Sequence, residues 1–223
     1  MMETNDILSE NISHNQNLFA EFTGILLGDG SLSVYKSIVN GKTKFQHRLK
    51  VTLDSREQEY TKYVANLLEK LFFLRPLIRF KKEGNVVDII LFDKRIVNFL
   101  IDKGFAPSPK WNRAIIPESL LKSNLEKQVI KGYFDTDGSV VIANNNGTQY
   151  PRLELKVCPS PMQSQLTTML AKLGFHFGVY QIGRGEIRIQ LNGKEQLRKW
   201  HSEIGFGNER HLKKAELFLK NQQ

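Results

Sequence analysis

Cysteine is nearly absent: Cys158 is the single one among 223 residues. That excludes a disulfide framework and a cysteine-based zinc site, and it suits a reducing intracellular compartment. The thiol itself reads as a small apolar residue of the core. No stretch reaches the roughly 18 apolar residues needed to cross a bilayer, so the chain is expected to be soluble. The opening MMETNDILSENISHNQN has neither the basic start nor the apolar centre of a secretory signal. No targeting signal is therefore expected, and residues 1–15 read as a flexible tail. His14, His47, His176, His201 and His211 lack metal-ligand spacing, and no phosphate-binding P-loop or dinucleotide fingerprint occurs. Acidic residues are in deficit, with 23 Asp and Glu against 32 Lys and Arg and a net charge of +9. Such an excess favours a polyanionic partner through neutralised phosphates and released counterions.

What is present is a repeat. FTGILLGDGS at residues 22–31 and IKGYFDTDGS at 130–139 each place a glycine five residues before an aspartate that Gly-Ser follows. Asp29 and Asp137 stand about half the chain apart. An apolar-periodic helix leads into each copy, with Leu18, Phe22, Ile25 and Leu26 on one face of the first and residues 125–134 forming the second. Gly28-Asp29-Gly30 and Asp137-Gly138 are expected to stop these helices, because glycine readily takes the positive φ that a helix end often needs.

The sequence after each motif repeats as well. Ser31, Ser33, Tyr35 and Ser37 alternate, a turn is expected at Asn40-Gly41, and residues 42–53 return as the second strand of a hairpin. In the second half residues 139–143 and 152–157 play the same parts around a loop at 144–147. Amphipathic helices follow near 57–72 and 161–173, with matching LEKL and LAKL tails. Strand pairs come next near 76–92 and 177–191, then helices ending in Gly104-Phe105 and Gly205-Phe206. The unit is helix, two strands, helix, two strands, helix, present twice, which indicates duplicated lobes rather than a solenoid. The expected division is a tail at 1–15, lobes at 16–114 and 125–223, and a Pro-containing linker at 115–124.

Gly24 and Gly28 share a helix face, as do Gly132 and Thr136. Small residues at this spacing let two backbones approach closely along a lobe interface, with dispersion contacts along the seam. If these faces pack, Asp29 and Asp137 meet, and adjacent carboxylates repel unless a cation bridges them. Mg²⁺ suits an all-oxygen site with few protein ligands, several waters and a substrate phosphate. Bound metal then activates water in phosphodiester hydrolysis.

The two segments resemble the LAGLIDADG signature, and from residue 17 to about 219 the chain resembles a monomeric, two-motif LAGLIDADG homing endonuclease. The resemblance implies an α+β fold: a pseudo-twofold pair of αββαββα lobes whose antiparallel sheets form a DNA-binding saddle. It implies a site-specific endonuclease that cuts both strands of double-stranded DNA across the minor groove and leaves short 3′ overhangs. Asp29 and Asp137 would hold the metal, with the carbonyls of Gly28 and Thr136 facing it. Mg²⁺ is the implied cofactor, with Mn²⁺ substituting and Ca²⁺ supporting binding without cleavage. The family also places a basic residue a few positions after the Gly-Phe near each lobe's end. Lys110 fills that place in lobe one, while lobe two offers His211 at the same offset and Lys213 two residues later. An intron RNA maturase or a non-cleaving DNA-binding protein of the same fold is the alternative, with intron RNA as its partner.

The saddle strands carry the candidate DNA contacts. Strand alternation puts Lys42, Lys44, Gln46, Arg48 and Lys50 on one face, beside Ser31, Ser33 and Tyr35, with Phe45, Leu49 and Val51 mostly on the other. Arg79 and Lys81 add to lobe one. Ser139, Arg152, Glu154 and Lys156, then Arg184, Glu186, Arg188 and Gln190, form the rows of lobe two. Such rows are ordinarily the wet face of a half-buried sheet, but four in one basic chain point to a DNA surface. Because the rows differ, the target should be long and asymmetric. Trp111 and Trp200 read as buried or partly buried anchors.

Overall fold

The computed structural model describes residues 4–39, 41–121 and 124–220. Helices α1 (Thr4–His14) and α2 (Gln16–Leu27) lead into strands β1 (Gly30–Val39) and β2 (Lys42–Asp54). Helix α3 (Gln58–Phe72), strands β3 (Leu77–Phe80) and β4 (Val86–Leu91), and helix α4 (Lys94–Asp102) complete the first lobe. The short α5 (Glu118–Leu121) precedes α6 (Glu126–Asp137), β5 (Gly138–Asn145) and β6 (Thr148–Val157). Then come α7 (Met162–Lys172), β7 (Gly178–Gly183), β8 (Glu186–Asn192), α8 (Lys194–Glu203) and α9 (Glu209–Lys220). Two antiparallel sheets result, ordered β1-β2-β4-β3 and β5-β6-β8-β7, so the duplication read from the motifs extends to sheet topology.

Alternation explains each sheet's two faces. On β2, Leu49, Val51 and Leu53 are buried under the helices while Arg48, Lys50 and Thr52 stay on the other face. Phe45 keeps the parity of Leu49 but is exposed, because the hairpin extends past the helical layer that would cover it. Gly41 takes φ +71° in the hairpin turn, as Asn-Gly chemistry requires, while Asn40 lies outside the described residues. Among the described residues no helix is long and apolar enough to cross a membrane.

Two expectations are corrected. The segment read as a tail forms α1, which buries Leu8 and Ile12 and donates from Asn11 Nδ2 to the Lys70 and Leu71 carbonyls at 3.0 and 2.8 Å. The motif glycines do not use positive φ: Gly28 sits at φ −77° and Gly138 at φ −96°. They are needed for space instead, since a Cβ at Gly30 would strike the Leu26 backbone and one at Gly138 the Phe134 carbonyl and ring. The linker is docked against α7. Met162 N–H donates to Ala114 O (3.1 Å), and the Gln165 amide brackets Ile116 N and O at 2.8 and 3.0 Å.

Candidate active site

Helices α2 and α6 pack along the seam between the lobes. A Cβ at Gly24 would come within 3.0 Å of the Val129 carbonyl and Tyr133 nitrogen, and one at Gly132 would do the same to the Glu21 carbonyl. At the end of the seam, Gly28 faces the Thr136 hydroxyl and the Asp137 carboxylate, the latter 3.1 Å from where a Gly28 Cβ would stand. The interface residues expected from the motif are therefore brought together, and with them the two acids. Asp29 lies just past α2 with its carbonyl bonded to Thr52 N–H at 3.1 Å. Asp137 is the last residue of α6.

The acids share one electrostatic environment. Burial first, then the charge of Asp137, pushes the Asp29 carboxyl up to about 7, with Lys110 and Arg210 opposing and Glu57 adding to the rise. Burial also raises Asp137, against the pull of Lys110 and Lys156. Lys110 is brought down to about 8 by burial, while Asp137 and Asp29 hold it charged. Its ammonium donates to Leu26 O and Gly28 O, both at 2.6 Å, satisfying carbonyls left open at the end of α2.

Two half-buried carboxylates, both raised by burial and Asp29 further raised by Asp137, with the Gly28 and Thr136 backbones beside them, form a hard oxygen donor set suited to Mg²⁺, Mn²⁺ or Ca²⁺. Among the described residues no group of three or more His, Cys, Asp or Glu could hold a metal ion. A cation here would thus rely on Asp29 and Asp137 alone among such side chains, completed by carbonyls, water and phosphate. Lys110 already donates to the Gly28 carbonyl, whose second lone pair stays open to a cation.

The basic residue of lobe two is not where the offset put it. His211 is 2 % exposed, packed on Phe134 and Phe206, and held down at about 3 by burial and by Arg210 and Lys214. Such an imidazole is neutral and part of the core. Lys213 stands on the surface, paired with Glu209 at 2.5 Å. Neither acts on Asp29 or Asp137. Arg210 does, and it was missed. Its guanidinium lies 3.0 Å from Glu57, which also accepts from Asn208 Nδ2 at 2.8 Å. Helical phase separates Arg210 from His211: α9 turns His211 into the core and leaves Arg210 and Lys213, three residues apart, on the cleft that Glu57 also lines, with Arg210 alone reaching Glu57, whereas Lys110 sits in an irregular Pro-flanked loop. The offset of Arg210 from Gly205-Phe206, one short of that in lobe one, was its only signal.

A second buried polar set braces the seam and was also invisible in sequence. Glu21 accepts from Tyr63 OH (2.6 Å) and from Lys131 Nζ (2.7 Å) across the lobes. Asp135, 1 % exposed, accepts from Gly207 N–H (2.8 Å) and Asn208 N–H (3.1 Å). Burial raises its pKa to about 7. Asp135 thus ties the segment before α9 to the motif helix and sets where Arg210 emerges.

The saddle rows assemble largely as alternation predicts. Ser31, Ser33 and Tyr35 lie opposite Lys50, Arg48 and Gln46. Lys42 and Lys44 stand exposed near the hairpin tip. Arg79 lies opposite Asp88, which also pairs with Lys50 (3.5 Å) and with Lys81 (3.6 Å), just past β3. In lobe two Ser139 and Gln190 flank Glu154. Glu154 draws in Arg152 (3.4 Å) and Arg188 (3.8 Å), and Glu186 takes Lys156 (2.8 Å). Arg184 leaves its row, occupying the β7–β8 turn at φ +48°. Arg48 lies over the Tyr35 ring at 5.2 Å and Arg188 over Tyr180 at 5.8 Å, which holds both guanidinium groups in place.

Comparison with known proteins follows the same lines. Residues 124–205 match the family described as LAGLIDADG-like domain. The fold is that of the homing endonuclease I-DmoI, with TM-score 0.61 and 16 % identity over 87 % of this chain and 97 % of that one. The I-LtrWI LAGLIDADG homing endonuclease bound to target DNA superposes with TM-score 0.65 at 12 % identity, over 92 % and 90 %. I-DmoI has also been solved with DNA and Ca, and with DNA and Mn. By sequence the chain is 26 % identical to a stretch of a DNA polymerase of Thermococcus kodakarensis, over 91 % of this chain and 12 % of that protein. It is 25 % identical to a stretch of a replication factor C small subunit of Methanocaldococcus jannaschii, over 97 % and 11 %. The chain therefore spans about a tenth of the length of these curated relatives.

Proposed function

We propose that this chain, a two-lobed LAGLIDADG protein with a LAGLIDADG-like domain at residues 124–205, is a site-specific endonuclease that cuts both strands of a long, asymmetric DNA target as a monomer. The observation that carries the reading is the meeting of Asp29 and Asp137, one from each lobe, at the end of the helix seam with Lys110 against both. A structural turn has no use for two half-buried carboxylates whose charge is disfavoured by burial.

When bound, a divalent cation, with Mg²⁺ the proposed physiological one, supplies an activated water and stabilises the leaving oxygen. The chain's own residues do the rest. Asp29 and Asp137 would hold the cation, with the Gly28 and Thr136 carbonyls as further oxygens. Lys110 places a positive charge where the phosphate gains negative charge, an arrangement needing no reorganisation during the reaction. Arg210, oriented by Glu57 and Asn208, serves lobe two in place of His211 or Lys213. Arg48, Arg152 and Arg188 present donors suited to guanine edges in the major groove, and Glu154 presents an acceptor suited to cytosine. Cleavage across the minor groove would leave short 3′ overhangs.

The reading is tested by incubating the protein with a randomised duplex pool and sequencing cut ends. A single long, asymmetric site cut in Mg²⁺ and bound uncut in Ca²⁺ is expected. An intact pool under Mg²⁺, together with tight binding to a structured RNA, would replace the nuclease with the maturase alternative.

A further inference from the structure

The chain has two tryptophans, and they differ. Trp200 is fully buried against Phe134 and Phe175, as an anchor should be. Trp111 is 47 % exposed although it directly follows Lys110. Its indole lines a cleft of about 280 Å³ together with Lys110, Asp137, Lys156 and Glu186. A large ring left half in water beside the Lys110 ammonium and the Asp137 carboxylate is unused apolar surface at a polar site.

The backbone that carries the indole is nevertheless fixed. Ser108 N–H donates to Leu32 O at 2.7 Å, fixing the approach to the loop. Arg113 Nη2 donates to Pro107 O (2.8 Å) and Pro109 O (2.7 Å), and Ala114 N–H to Lys110 O (2.9 Å), so the loop is clamped on both sides. Lys110 anchors it from below. Among the described residues, neither an aromatic ring nor a cation stacks on Trp111. Among the described residues lobe two has no exposed ring at the matching place: the buried His211 follows Arg210, and the cleft beside Arg210 is lined by Arg56, Glu57, Glu209, Lys213 and the buried Tyr60.

We propose that Trp111 packs its indole, as an apolar wedge, against the base and sugar next to the phosphate that Lys110 and Asp137 hold, so positioning one strand of the duplex only. Minor-groove binders use apolar side chains in this way, and base–aromatic stacking tolerates sequence. The indole N–H also suits the acceptors that line the minor-groove floor. This rests on the endonuclease reading for its cleavage consequence, but the contact with DNA can be read without cleavage.

The first test is tryptophan emission during titration with the duplex selected from a randomised pool in Ca²⁺. Emission should be quenched on binding in the native chain and in Trp200→Phe, where Trp111 is the only tryptophan left. It should be unchanged in Trp111→Phe, where only Trp200 remains. The second test resolves the strands in Mg²⁺. Trp111→Ala should slow one strand about ten- to a hundredfold and the other less than about twofold, so nicked circles accumulate, and Trp111→Phe should restore most of the lost rate. Unchanged Trp111 emission at saturating DNA overturns the contact, whatever the cleavage result. Equal slowing of both strands overturns the one-strand assignment. Quenching without any cutting in Mg²⁺ supports the contact and removes the nuclease reading instead.

Discussion

Asp29→Asn should make the protein more stable, and by an amount that grows with pH. Burial and Asp137 push the Asp29 carboxyl from its ordinary 3.8 up to about 7. Between those values the folded chain keeps a proton that the unfolded chain has lost, so native stability falls as pH rises through the window. The interval from 3.8 to about 7, at about 1.36 kcal/mol per pH unit, amounts to about 4 kcal/mol once the carboxyl is ionised in both states. Asparagine has the same shape and no charge, so the variant escapes that cost. Urea unfolding should show it about 4 kcal/mol more stable than the native chain at about pH 8, shrinking to about 2 kcal/mol at about pH 5, with unchanged slope. Mg²⁺ at a hundred times its dissociation constant should add about 2.7 kcal/mol to the native chain at about pH 8 and much less to the variant. A variant that is less stable at about pH 8, or a gap that does not narrow toward acid, refutes the picture of a strained acid pair.

Two further substitutions probe the surroundings. Lys131→Met leaves Glu21 without its cross-lobe cation, and breaking one side of such a buried pair should lower stability by about 3–5 kcal/mol in urea or thermal unfolding. Arg210→Ala should slow one DNA strand about a hundredfold, the scale of losing one preorganised charge donor, in a strand-resolved gel assay. Lys213→Ala, which removes only a surface pair with Glu209, should have a far smaller effect.

Much of this architecture was legible because local pattern and global fold agree. The spacing Gly24, Gly28 against Gly132, Thr136 encodes two smooth helix faces, and smooth faces have one good use, each other. Period-two alternation in residues 42–53 placed Arg48 and Lys50 opposite Leu49 and Val51 before any sheet was seen. Where reading failed, the deciding contacts were distant in sequence. The motif glycines were read as flexible stops, yet Gly28 and Gly138 have ordinary φ and are small because Thr136 and Phe134 crowd them. No local pattern marks Asp135, and only the fold brings Gly207 and Asn208 to its carboxylate. Asp88 gave no sign that it would claim Lys50 and Lys81, because that depends on strand register. His211 and Arg210 are neighbours in sequence but point about 100° apart on α9, so a fixed offset from Gly205-Phe206 could not choose between them.

The central claim is that one carboxylate from each lobe jointly governs DNA hydrolysis. It is tested most directly by assaying the native chain, Asp29→Asn and Asp137→Asn on the same selected duplex, measuring binding in Ca²⁺ and strand-resolved cleavage in Mg²⁺. The account predicts that both variants fold and bind the duplex but cut neither strand at a measurable rate. Full cleavage by either variant would contradict it.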